Sequence, residues 1–410
     1  MKLWKMAARN IGRNRRRSIL SGSAIAIAAM VFVIMFSVVE GLKIDLTDNL
    51  TKYFTGQVRI RNSQYDENEE LNPLFYNISD FSNLLEKIEA LPEIDRTSPR
   101  IQVPGVIFKN DTNYTTLCMG VDFTRENDFM DIDSILISGA LPDEQEKQAL
   151  AGSGLAEQLD LEPGDKITLM SKTMNRGTNA YTFTVTGIIQ TPVHGLNTKL
   201  ILAPLEQVQK FVKMPGGITE ILIISSKDSS PENTAGILSS FFSSSNRPEL
   251  TAVPWNEIEG SYSIVEIANS VYSIIAVIFF ILGSTVIVNT TMMVVYERIR
   301  EIGTISALGM YGGEIVRLFF LEAFFIALLG SLAGILLGIG ITIPLSHFGI
   351  DFSRAMEGFT LEVSPVFYPA LDLRSPLTTF FYAIGVSSIA SLFPSWRSAR
   401  IQPVEALRTV

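Results

Sequence analysis

Four long stretches almost free of charge, one near the start and three close together near the end, limit what this chain can fold into. Residues 18–39, 267–296 and 375–395 carry no charged side chain, and residues 318–345 carry only Glu322. At about 1.5 Å of rise per residue, a helix of that length reaches across a bilayer core of roughly 30 Å. Residues 41–266, between the first two stretches, are largely polar. The pattern is that of a membrane protein: four transmembrane α-helices with a large mixed α/β extracytoplasmic domain inserted between helices one and two.

The first stretch follows Arg13, Arg15, Arg16 and Arg17, as the apolar core of a secretory signal would. It is longer than such a core, and Val38-Val39-Glu40-Gly41 lacks a small-x-small cleavage pattern, so it is expected to remain as a helix. Seven basic residues and no acid fall in residues 1–17, which places the N-terminus in the cytoplasm. Four spans then return the C-terminal tail, residues 396–410, to the same side, where Arg397, Arg400 and Arg408 outnumber Glu405. Residues 297–313 become a cytoplasmic segment, and residues 346–374 an outer loop. Leu3, Trp4, Ala7 and Ile11 share one face of residues 1–17, opposite Lys5, Arg9 and Arg13, as in an in-plane interfacial helix; loose juxtamembrane coil is the alternative.

The charge is split between the two parts. Residues 43–266 hold 32 acidic and 18 basic side chains, whereas the rest of the chain is net basic, a contrast hidden by the overall charge of −9. An acidic domain of this kind excludes nucleic acid as a partner, because phosphate neutralisation needs a basic face. With one cysteine, Cys118, no internal disulfide can form, so the domain must bury its own core. Runs rich in β-formers at 57–61, 103–108, 114–121, 166–170, 181–189 and 218–225 predict strands. Periodic apolar positions predict helices at 81–91, 153–159, 205–212 and 231–242, and Asn110-Asp111-Thr112-Asn113 predicts a hairpin turn. The expectation is two subdomains.

Helical periodicity continues past the membrane on both sides of this domain. Leu42, Leu46, Leu50 and Tyr53 recur every three to four residues after the first span, and Ile258, Tyr262 and Val265 do so before the second. Two helices so extended can form a stalk that carries motion outward; fraying at the interface is the other reading. Inside, Glu297, Arg298, Ile299, Arg300, Glu301, Ile302, Gly303, Leu308 and Gly309 outline a short amphipathic helix with a charged shoulder, followed by a glycine turn through Gly312 and Gly313. Such a helix can dock in a groove of a soluble partner or lie flat on the headgroups, and physics alone leaves both open.

The run Glu-Arg-Ile-Arg-Glu-Ile-Gly-Thr-Ile-Ser-Ala-Leu-Gly at 297–309 resembles the coupling segment of MacB- and FtsX-type (type VII) ABC transporter permeases. The tail that begins Phe-Pro-Ser-Trp-Arg-Ser-Ala-Arg, residues 393–408, and the Arg-Asn-Ile-Gly-Arg-Asn-Arg-Arg-Arg segment at 9–17 are similar to their terminal motifs. Together with residues 155–167, the tail is most like that of the lipoprotein-releasing members. The resemblance implies a permease that pairs with a second copy or a paralogue in membrane lipid and binds a separate ABC ATPase. It implies no cofactor on this chain, with ATP and Mg held by the ATPase. The cargo implied is a lipoprotein, with peptide or drug export, or FtsX-like activation of a cell-wall hydrolase, as alternatives. In those relatives a protruding hairpin receives a periplasmic carrier; the corresponding stretch here, residues 171–180, is short and lacks proline. The location implied is a bacterial inner membrane.

The residues agree with a borrowed engine. No Gly-x-x-x-x-Gly-Lys-Ser/Thr phosphate loop occurs, and neither two histidines with one cysteine nor any Gly-x-Ser-x-Gly elbow makes a catalytic or metal set, so no enzymatic activity is assigned. In the third span Gly330, Gly334 and Gly338 stand four apart, a small-residue ridge suited to a helix contact, such as one across a dimer, and less suited to a hinge. Glu322, an acid inside a span, is a functional candidate by its cost, but its place near the cytoplasmic edge points to a structural contact.

Overall fold

The computed structural model describes residues 2–13, 15–109, 112–351 and 366–398. The described residues divide into two compact units: a membrane unit within 2–44, 267–351 and 366–398, and an inserted unit within 45–266.

The membrane unit is helical because backbone groups in lipid must be satisfied within the segment. Helix α1 is Lys2–Arg13 and α2 is Arg15–Leu50. Helices α3 (Glu259–Tyr296), α4 (Ile299–Ala307), α5 (Gly312–Phe348) and α6 (Arg374–Ser398) follow the inserted unit. Four of them, α2, α3, α5 and α6, are long and apolar enough to cross a membrane.

Association between such helices gains little from hydrophobicity, since lipid is as apolar as leucine, so packing depends on close approach and polar contacts. The glycine ridge of α5 shows this. A Cβ on Gly330 would lie 2.7 Å from the carbonyl oxygen of Gly22 and 3.2 Å from Ile25, one on Gly338 would lie 2.9 Å from Val33, and one on Gly334 would run into the backbone of Ala26. The ridge therefore seats α2 of the same chain. Tyr382 on α6 donates to the Phe280 carbonyl and meets Ser284 on α3, and Thr291 lies 3.2 Å from Ser387. The loop before α6 crosses α2 closely: the Ala370 amide donates to the Ser37 carbonyl at 2.8 Å, and the Tyr368 carbonyl fills the space a side chain on Gly41 would need.

The main sheet of the inserted unit has ten strands among the described residues: β1 Val58–Asn62, β2 Ile94–Lys109, β3 Thr112–Val121, β4 Leu136–Gly139, β5 Gln148–Gly152, β6 Lys166–Lys172, β7 Thr178–Ile189, β8 Leu200–Pro204, β9 Glu220–Ser225 and β10 Leu250–Pro254. They run in the order β10-β1-β9-β2-β3-β8-β5-β7-β4, and β6 joins β2 to β7. Strands β2, β3, β8, β5, β7 and β6 thus close into a hydrogen-bonded ring, while β10, β1 and β9 extend from β2 as an open sheet. The halves expected from sequence share the sixteen-residue strand β2 and have no linker between them. Helices Phe81–Glu89 and Pro231–Ser244 bury Leu84, Leu85, Ile88, Ala235, Leu238 and Phe242 in one core with Val58, Ile60 and Ile101. Lys109 pairs with Thr112 around the expected turn, whose Asn110 and Asp111 lie outside the described residues.

Candidate functional site

Two places answer to the residues singled out from sequence: helix α4 in the membrane unit, and the helix segments leading to and from the inserted unit.

Helix α4 forms because Ile299, Ile302 and Ile305 recur on one side, and Gly309, at φ +96°, turns the chain towards α5. Ile302, Val295, Ile315 and Phe319 make a small apolar cluster that also takes in Ile305 and Met310. The apolar stripe of α4 is thus spent on α3 and α5 of its own chain. What remains exposed is Glu297, Arg300, Thr304, Ala307, Leu308, Gly309 and Tyr311; Leu308 is 83% and Tyr311 80% exposed.

Arg298 departs from expectation. It does not stand on a solvated charged shoulder but is buried, and its guanidinium pairs with Glu322 on α5. The second oxygen of that carboxylate, Oε1, accepts from Asn10 Nδ2 on α1 at 2.6 Å. The guanidinium also lies 5.5 Å above the Phe319 ring, and its Nε is 3.3 Å from half-exposed Glu301. Burying two charges is tolerable only as a pair whose lone pairs and protons find partners, so these contacts explain how an acid survives inside α5. Charge reversal at Arg298 is therefore expected to break a buried pair. Sequence reasoning missed the pairing because the partners are 24 residues apart and on different helices.

Helix α1 is present as expected, but it packs on α5. Trp4 meets Phe325 edge-on at 4.5 Å and Ala7 is fully buried. Glu322 therefore gathers three elements: α1, the start of α4, and α5.

Helix α2 continues unbroken to Leu50, then widens into a π-helical turn, Thr51–Thr55, that ends at Gly56 with φ +66°. Along it Leu42 and Leu46 are half-buried, and Leu50 and Tyr53 are buried. On the return path Ile258 is buried and Val265 half-buried, while the side chain of Tyr262 lies outside the described residues, although α3 runs through it. Both segments are helical, α2 to Leu50 and α3 from Glu259. The hairpin at residues 171–180 is folded down: the Met174 amide donates to the Val212 carbonyl at 2.9 Å, and Arg176 stacks 4.8 Å over Phe75.

Buried charge also runs through the inserted unit, where sequence periodicity alone would have assigned it to solvent. Arg61 donates to Glu220 Oε2 through Nε at 2.9 Å and to Glu69 Oε1 through Nη1 at 2.6 Å, and Arg59 Nη2 lies 3.0 Å from Asp66 Oδ1. Burial pushes the Glu69 carboxyl up, but the hydrogen bond and charge of Arg61, with Arg59 behind it, hold it below the usual carboxylate range.

Comparison with known proteins gives two family matches: a MacB-like periplasmic core domain over residues 18–240 and an FtsX-like permease C-terminal region over residues 273–403. The lipoprotein-releasing system transmembrane protein LolC of Xylella fastidiosa strain Temecula1 is 26% identical over 273 residues, which is 64% of this chain and 65% of that one. The LolE protein of the same system in Haemophilus influenzae is 26% identical over 342 residues, 80% of this chain and 81% of that one. A macrolide export ATP-binding/permease protein MacB of Paracoccus denitrificans is 33% identical over 134 residues, 33% of this chain and 18% of its own length. The match with LolC thus spans just under two thirds of that protein's length.

Proposed function

Because the chain belongs to the family of MacB-like and FtsX-like permeases, we propose that it is the membrane subunit of an ABC transporter driven by a separate ATPase. In this reading α4 receives the push of the nucleotidases on the cytoplasmic side, α2 and α3 relay it, and the extracytoplasmic domain moves. The chain itself performs no reaction; ATP and Mg belong to the partner.

One observation carries the reading. The Ile302 and Ile305 side of α4 is spent on α3 and α5, while Thr304 on the helix and Leu308 and Tyr311 in the turn after it stay exposed. A short helix fixed on one side and open on the other fits a groove in a soluble partner. The cargo proposed is a lipoprotein extracted from the inner membrane, supported by the LolC and LolE likeness. Small-molecule or peptide export is the second reading, favoured by the MacB likeness over 134 residues. The folded-down hairpin gives no support to a carrier docking there. A second permease copy or paralogue completes the assembly.

The test has two arms. Leu308→Asp with Tyr311→Ala should lower stimulation of the cognate ATPase about tenfold without loss of membrane insertion; unchanged stimulation would remove α4 as the docking element. Depletion in the host should leave lipoproteins in the inner membrane. Chained, undivided cells with normal lipoprotein sorting would instead indicate FtsX-like signalling.

A further inference from the structure

We propose that Arg100 is the positioning residue that fastens the end of helix α2 to the sheet of the inserted unit, so that movement of α2 is delivered to strands β2 and β9. The proposal rests on the reading of the chain as a driven permease, and it concerns a residue with no part in ATPase docking.

A π-helical turn leaves its carbonyls out of step with the usual i to i−4 ladder, and the last turn of any helix has carbonyls without intrahelical donors. At the end of α2 two of these, on Lys52 and Tyr53, are met by one side chain. Arg100 Nη1 donates to the Tyr53 carbonyl at 3.0 Å and Nη2 to the Lys52 carbonyl at 3.3 Å. Arg100 is fully buried, on the middle of β2, where it faces Glu220 of β9 in the pairing register.

The guanidinium is held from its other side. Its Nε donates to Ser98 Oγ at 3.1 Å, and Nη2 pairs with Glu126, itself 1% exposed. Glu126 is placed by its own helix, Phe123–Met130, whose N-cap Asp122 accepts from the Thr124 and Arg125 amides. One turn on, Phe129 covers the guanidinium at 5.2 Å. A planar fork held by a carboxylate, a hydroxyl and an aromatic face has little freedom, so two carbonyls bonded to it move with the strand that bears it.

The arrangement continues sideways. Arg61 of β1 faces Glu220 across the sheet, and β1 is the first strand after the π-turn. Within the inserted unit the chain after α2 is thus tied to the sheet twice, by covalent continuity into β1 and by the two carbonyls on Arg100. Covalent continuity alone passes through Gly56, whose backbone can swivel; the Arg100 clamp removes that swivel.

The experiment is amide hydrogen exchange on the full permease–ATPase complex in lipid nanodiscs, without nucleotide and trapped with ATP and vanadate. The variants are Arg100→Met with Glu126→Leu, which removes the clamp without leaving an unpaired buried charge, and Arg100→Lys, which keeps a charge for Glu126 but has no fork for two carbonyls. Expected is a nucleotide-dependent exchange difference along α2 in every protein, with the difference in β2 and β9 reduced at least fivefold in both variants. Nucleotide-dependent differences in β2 and β9 equal to the native protein's, in either folded variant, overturn the proposal and leave the permease reading standing. No nucleotide-dependent difference anywhere in the native complex would overturn both.

Discussion

The two units pack their side chains under opposite rules. In the inserted unit water drives assembly, and large side chains such as Phe183, Phe211 and Phe242 fill a core between helices and sheet. In the membrane unit the closest contacts are made where side chains are missing, with Gly330, Gly334 and Gly338 laid against the backbone and small side chains of α2. Yet both units contain the same device, an arginine paired with a glutamate out of solvent: Arg298 with Glu322 in one, Arg61 with Glu220 and Arg100 with Glu126 in the other. Bulk packing follows the medium, whereas two of these pairs, Arg298–Glu322 and Arg100–Glu126, stand where a helix end meets its support, and Arg61–Glu220 joins two neighbouring strands.

The comparison breaks most readily at the pairs. Arg61→Met leaves Glu220, fully buried, without its main partner, and should destabilise the inserted unit by about 3–5 kcal/mol. Cys118 offers the measurement: burial pushes its thiol up to about 12, so in the native protein it should resist maleimide at pH 8 and label only as the unit opens. Fast labelling of Arg61→Met with native-like labelling of the double variant Arg61→Met with Glu220→Leu would show that the orphaned charge, and not lost volume, is responsible.

Gly334→Val should come next in size. Its side chain meets the Ala26 backbone, which cannot give way, and an overpacking cost of about 1–3 kcal/mol is expected, read as a lower detergent melting midpoint. Gly340→Val, with open space around its Cβ site, should leave the midpoint unchanged. Equal effects at both positions would mean that the ridge is not what holds α5 to α2.

The smallest effect concerns acid. Because the Glu69 carboxyl titrates lower in the folded protein than in the unfolded chain, its contribution is present above the unfolded value of about 4.3 and fades as pH falls through the lowered folded value. Glu69 is about half exposed, so screening keeps the contribution under about 1 kcal/mol. Glu69→Gln should lower stability slightly at pH 7, by under about 1 kcal/mol, and hardly at all at pH 4, which flattens the acid limb of a stability-versus-pH curve; an equal loss at pH 7 and pH 4 would contradict this.

Much of the architecture was legible because it depends on local pattern. Apolar length marks the four spans, and helical spacing gives Ser153–Leu159 and Leu205–Val212 with the observed ends. Strands β4, β5, β8 and β10 were missed: each has four or five residues, too few to show alternation, and β8 is buried along its whole length. The exposed part of α4 could be read from sequence, but the burial of Arg298 could not, since it is decided by a helix that arrives 24 residues later. Arg59 and Arg61 alternate with Val58 and Ile60 as surface residues would, and only the covering residues Tyr65 and Asp66 take them out of water.

The crossing of α2 by the segment before α6 has a mechanical consequence. A stiff rod gripped near Ser37 and Gly41 can tilt about that grip but cannot slide through it without parting the Ala370 bond. The grip divides the helix Arg15–Leu50 unequally, with about 36 Å on the side of Arg15 and about 17 Å on the side of Leu50. It is a fulcrum: a swing at the long arm emerges at the short one reversed in direction and roughly halved in amplitude, with the force correspondingly doubled.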